Sequence, residues 1–151
     1  MRPLLAAVVL LALATANCSE ATAPVTPTPT VTSVDGRWTG DLSVLGTLAR
    51  MTWTLAQTET SVAGPVLVQL PTGTVLLNGT LSGTLSGSTL AYTIAISPGG
   101  IPSQSACSGQ LAGAVTASIA TESTLTGSYA VVSSTCPTPL SSGNFTLTKA
   151  S

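Results

Sequence analysis

Apolar and polar residues alternate with a period of two through most of the chain, most cleanly over residues 73–96. Val75, Leu77, Gly79, Leu81, Gly83 and Leu85 fall on one face, and Leu76, Asn78, Thr80, Ser82 and Thr84 on the other. Gly87-Ser88 turns the chain, after which Leu90, Tyr92, Ile94 and Ile96 resume the alternation. Side chains of a strand point to opposite faces in turn, so this pattern predicts two half-buried antiparallel strands joined by a tight turn.

The same pattern recurs on both sides. A first strand places Trp38, Gly40, Leu42 and Val44 inward, and residues 45–48 turn the chain at Gly46. A second strand over residues 49–58 buries Met51, Trp53 and Leu55. A third buries Val62, Gly64, Val66, Val68 and Leu70, with Pro65 implying an edge, a bulge or a kink because proline cannot donate to a ladder. Residues 97–106, with two prolines and adjacent glycines, form a loop. A sixth strand covers residues 107–119, and a seventh begins near residue 123 with Leu125, Gly127, Tyr129 and Val131 on one face. A second loop over residues 133–142 leads to a last strand, residues 144–149, with Phe145 and Leu147 inward.

No helical period interrupts these segments. The expected fold is all-β, a small antiparallel up-and-down β-barrel of about eight strands over residues 35–149. A two-sheet β-sandwich is the alternative arrangement of the same strands. Glycine recurs on the inner faces, where it either permits sharp strand coiling or leaves a cavity.

The first residues do not fit this pattern. Met1-Arg2 and the apolar stretch from Leu4 to Leu13 form a signal peptide, residues 1–17, too short to span a bilayer. Ala14-Thr15-Ala16 suits an ordinary signal peptidase, which would leave Asn17 first; alternatively, residues 13–18 resemble a bacterial lipoprotein signal in which Cys18 is lipidated. Asn17 stands where such signals carry a small residue. Residues 18–34 then form a Thr/Pro-rich linker with too few large side chains to build a core.

Cys107 and Cys136 lie within the domain and are expected to form a disulfide, leaving Cys18 as the unpaired third. In the chain-entropy picture, closing a loop of about 30 residues stabilises the fold by about 3–4 kcal/mol. The chain holds 4 Lys/Arg and 5 Asp/Glu, a net charge of -1. Such sparse charge offers no basic footprint, so nucleic acid is not an expected partner. The outward Thr and Ser of the strands do not form the apolar band of a membrane-spanning barrel.

Histidine is absent, which removes the usual general base and most zinc sites; the expectation is no catalytic residue, no metal and no cofactor. Asp35, Asp41, Glu59 and Glu122 are isolated in sequence and read as solvated groups. Trp38, Trp53, Tyr92 and Tyr129 read as core packing, or as the walls of a ligand cavity.

The opening Asp35-Gly36-Arg37-Trp38-Thr39-Gly40, the Ser86-Gly87-Ser88-Thr89-Leu90 hairpin and the closing Ser142-Gly143-Asn144-Phe145-Thr146-Leu147-Thr148 resemble small bacterial lipoproteins with a lipocalin-like or avidin-like β-barrel. The Gly-x-Trp start of the first strand occurs in both lipocalins and avidins. That resemblance implies a barrel able to bind small molecules inside. The ligand-binding cluster of avidins has no placeable counterpart beyond Trp38, so no family site carries over.

The leading expectation is a non-enzymatic, lipid-anchored domain of the bacterial cell envelope, at the outer membrane or facing the periplasm, with a structural or protein-interaction role. The alternative function is a carrier for a small apolar ligand inside the barrel, and the alternative location is secretion. Its partners would be the membrane, through the lipid, and either an envelope protein or the ligand. Intact mass spectrometry of denatured protein purified from its native envelope checks the tether. A diacyl or triacyl addition on Cys18 is expected; an unmodified chain starting at Asn17 contradicts it.

Overall fold

The structure is a computed structural model that describes residues 33–44, 46–118 and 123–151. The expected signal peptide, Cys18 and nearly all of the linker lie outside the described residues. The strands are β1 (Gly36–Val44), β2 (Thr47–Thr58), β3 (Ser61–Gln69), β4 (Val75–Ser86), β5 (Thr89–Ile96), β6 (Gly109–Ser118), β7 (Thr124–Ser134) and β8 (Gly143–Lys149). Each pairs antiparallel with the next, and β8 returns to β1, so the sheet is a closed eight-stranded barrel and not a sandwich. Closure leaves no edge strand.

The inward set follows the sequence alternation. Trp38, Leu42, Met51, Trp53, Leu55, Val62, Val66, Leu81, Leu85, Leu90, Tyr92, Ile94, Leu111, Val115, Leu125, Phe145 and Leu147 are all buried in one core. Packing begins at Val34, fully buried, whose backbone N–H donates to Gln57 Oε1 at 2.8 Å.

Pro65 does not mark an edge. β3 is paired on both sides, and the β2–β3 ladder is instead interrupted opposite Gly64-Pro65 without a change of register: Trp53 faces Val66 before the gap and Ala56 faces Ala63 after it. Proline withholds an N–H at that point, and the missing side chain of Gly64 lets β2 come close. A Cβ on Gly64 would lie 1.9 Å from the Thr54 carbonyl oxygen. On the far side of the barrel a Cβ on Gly113 would lie 1.9 Å from the Ser128 carbonyl oxygen and 2.9 Å from the Tyr92 hydroxyl. These inward glycines therefore serve close strand approach and do not hollow the barrel.

Two irregularities reshape one end. A register shift between Val68 and Gln69 sets Leu77 opposite Val68 and Val75 opposite Gln69, leaving Leu76 as the extra residue of β4. A second shift, between Gln110 and Leu111, makes Val132 the extra residue of β7, and Val132 is exposed. Such bulges bend a strand and re-aim its side chains.

Gly113→Ala is expected to destabilise the fold by about 1–3 kcal/mol, the usual range for overpacking. Urea denaturation of the variant beside the wild type measures it; an unchanged midpoint would show that β6 and β7 are not held in close approach there.

Candidate functional site

Strand direction divides the barrel into two ends. At one end lie the chain termini of the domain and the β2–β3 and β4–β5 turns; at the other lie the β1–β2, β3–β4, β5–β6 and β7–β8 connections. The first end is filled. Val34, Trp38, Leu55, Val62, Leu85, Leu90, Leu125 and Leu147 are almost completely buried there. Trp38 Nε1 donates to the Val34 carbonyl at 2.8 Å, and the Lys149 ammonium lies 5.5 Å from the Trp38 ring centroid, within cation–π range.

The other end is hollow. A cavity of about 340 Å³ opens between the strands there, and all eight strands contribute to its wall: Leu42 and Val44, Met51 and Trp53, Val66 and Val68, Leu76 and Leu77, Tyr92 and Ile94, Leu111, Tyr129 and Phe145. Leu76 and Leu77 are adjacent in sequence, and the β3–β4 bulge is what brings both to the cavity. Among the described residues, none that lines it carries a formal charge.

Trp53, Tyr92 and Phe145 form the cavity's aromatic wall. Trp53 packs edge-on to Tyr92 (ring centroids 5.0 Å apart, 66° between planes) and to Phe145 (5.1 Å, 62°). Tyr129 tilts against Phe145 at 6.1 Å. The Tyr92 hydroxyl donates to the Ser128 carbonyl at 2.9 Å. Trp53 Nε1 is buried and has no hydrogen-bond acceptor among the described residues.

Two connections cover the mouth. Ile101, Ser103 and Gln104 reach it from the β5–β6 connection, which contains a 3-10 turn over Pro102–Gln104, and Thr138, Pro139, Leu140 and Ser141 reach it from the β7–β8 connection. The Cys107–Cys136 disulfide joins the two connections, as expected from sequence. Thr138 N donates to Gln104 Oε1 at 2.9 Å, and Ser108 N and Thr135 N donate across the same gap, each at 2.9 Å. Asn78 N donates to the Gly100 carbonyl at 2.6 Å, tying the first connection to β4. Cys107 thus precedes β6 and does not begin it.

Of the four aromatic residues singled out in the sequence, the structure brings Trp53, Tyr92 and Tyr129 together on the cavity and leaves Trp38, the cross-strand partner of Trp53, outside its lining with its N–H on the Val34 carbonyl. Phe145, inward in the alternation, also lines this site. So does Leu76, on the outward face of the alternation, and a Leu-Leu pair in an alternating strand is the pattern a bulge leaves behind. Asp41 pairs with Arg50 at 3.2 Å, and both side chains are at least half exposed, so the pair contributes little. The Asp35 carboxylate accepts the Gln57 backbone N–H, and Glu122 lies outside the described residues. No cluster of three or more potential metal-ligating side chains occurs among the described residues.

No protein-family model matches this chain, and neither the curated proteins nor the solved structures give a significant match. The fold and cavity define the class: a small closed antiparallel β-barrel with an apolar, uncharged interior open towards one end. Of the resemblance to lipocalin-like or avidin-like proteins, the barrel is the part the structure bears out.

Burial, with a smaller contribution from neighbouring Tyr129, pushes the Tyr92 phenol well above its ordinary value. Above about pH 10 the unfolded chain releases this proton and the folded chain keeps it, so stability falls as pH rises beyond that point. The Tyr92→Phe variant is expected to show a shallower loss. Thermal unfolding from pH 9 to 11 measures both; identical slopes would contradict the burial of the phenol.

Proposed function

We propose that this protein is a non-catalytic binding module that takes a small, neutral, apolar molecule into the open half of its barrel, and that a lipid on Cys18 holds it at the cell envelope. The cavity of about 340 Å³ carries this reading. It is within the size range of small-molecule sites and is lined by aliphatic and aromatic side chains with a few polar groups at the mouth. A structural or protein-interaction domain, the leading expectation from sequence, would be better served by a filled barrel. The missing charge on the wall argues against a charged cargo, because an ion moved there would lose hydration without gaining a counter-ion.

The disulfide-joined connections fit the same role. They are fixed to each other and to β4, so a ligand would meet a mouth that is already shaped. Pre-organisation of that kind reduces the ordering that binding requires.

Titration with the neutral fluorophore N-phenyl-1-naphthylamine tests the proposal. Saturable binding at one site per chain is expected. Leu77→Trp, which fills part of the cavity, is expected to weaken it by about tenfold, a loss of about 1.4 kcal/mol. Absence of saturable binding, or binding indifferent to Leu77→Trp, would count against a carrier.

A further inference from the structure

We propose that the mouth end of the barrel rests on the lipid bilayer to which the chain is tethered, so that an apolar ligand passes between bilayer and cavity directly. The inference rests on the carrier reading above and names the surface at which the cargo is exchanged.

Charge is divided between the two ends. Asp35, Arg37, Glu59 and Lys149 lie at the filled end, before or early in β1, in the β2–β3 turn and at the end of β8. Asp41 and Arg50 pair with each other on the outer wall. The four connections at the mouth end, residues 45–46, 70–74, 97–108 and 135–142, contain no charged residue.

Exposed apolar surface gathers where charge is missing. The exposed large aliphatic side chains among the described residues are Leu48 and Val132, at 58 % and 59 %, and both lie beside mouth-end strand termini. Pro71, Pro98, Pro102, Pro137 and Pro139 are exposed on the mouth-end connections. A proline ring adds apolar surface and has no backbone N–H to desolvate. An ion brought against hydrocarbon loses hydration, so the mouth is the end that meets a bilayer at the smaller cost. With no basic cluster there, the attraction is to the apolar boundary of the lipid and not to anionic headgroups.

The tether permits this orientation. The chain enters the barrel at the filled end, where Val34 is packed and hydrogen-bonded to Gln57, so a short tether would keep the mouth away from the bilayer. Residues 18–34 would span about 50 Å if extended at about 3.1 Å per residue. The barrel is shorter. The 12 residues of β2, at about 3.4 Å each and tilted by about 40°, rise about 30 Å. The tether therefore reaches back along the outer wall. It also holds the mouth near the bilayer at an effective concentration on the order of millimolar, so a contact of small area suffices.

The mature chain, residues 18–151, is coupled through the thiol of Cys18 to a maleimide lipid in phosphatidylcholine nanodiscs that carry a nitroxide-labelled lipid. The methyl signals of Leu48, Val132 and Leu140 are expected to broaden more than those of Val34 and Leu125. In a second measurement, N-phenyl-1-naphthylamine is transferred from phosphatidylcholine vesicles to the chain tethered on them. Leu48→Glu/Val132→Glu, two changes at exposed positions, is expected to slow the transfer by about fivefold. Its affinity for the same probe in water should be unchanged, and added salt should not alter the wild-type rate. Broadening strongest at Val34 and Leu125, or a transfer rate indifferent to the two glutamates, would overturn this inference and leave the carrier reading standing. Loss of saturable binding in water would overturn the carrier reading itself, and the methyl broadening would still decide whether the mouth meets the bilayer.

Discussion

The barrel depends on a short seam. β1 and β8 meet in register only at Trp38 opposite Lys149 and Thr39 opposite Thr148, extended by the Ala150 N–H donated to the Arg37 carbonyl at 2.8 Å and the Thr148 hydroxyl donated to the Thr39 carbonyl at 3.2 Å. Every other neighbouring pair shares a longer ladder. Trp38 makes so short a seam sufficient. Its indole fills the barrel beneath the junction, its N–H fixes Val34 across the end, and Lys149 lies over its ring. Burial of a side chain that large is worth more than the hydrogen bonds it accompanies. With that end sealed, space left further along the barrel becomes a blind cavity and not a channel.

The hollow half is built from the same strands as the filled half, so something must distinguish them. The inward glycines do not, since at Gly64 and Gly113 a side chain would collide with a neighbouring strand's carbonyl. The difference lies in the strand ends. There the β3–β4 and β6–β7 bulges bend the wall, and the two long connections joined by Cys107–Cys136 cover the mouth from above. The connections are held by hydrogen bonds to each other and to β4, so they roof the space without filling it.

Much of this was legible in the sequence because a strand announces itself locally. Leu90, Tyr92, Ile94 and Ile96 alternate with polar or small residues, and all four prove buried. The Cys107–Cys136 pairing and the two loops it joins were likewise readable from composition and cysteine spacing. What was not legible depends on how strands tilt around a barrel. Trp38 and Trp53 face each other across β1 and β2, and sequence grouped them on one wall. In the structure Trp53 borders the cavity, whereas Trp38, one strand over, lies just outside its lining with its N–H on the Val34 carbonyl. Pro65 could be read as an edge as easily as a kink, because a missing N–H looks the same in sequence wherever the ladder tolerates it. The glycines, too, permitted both coiling and a cavity, and only the distance to the next strand's carbonyl separates the two.

The barrel is filled around Val34, Trp38 and Leu147 and hollow towards Leu77, Leu111 and Leu140. Crystals pressurised with xenon test it most directly, because apolar cavities of this size take up xenon without specific contacts. Xenon is expected within the wall formed by Tyr92, Ile94, Leu111 and Leu77, and none between Trp38 and Leu147. A barrel whose open half excludes xenon, or that takes it up around Trp38 instead, would contradict it.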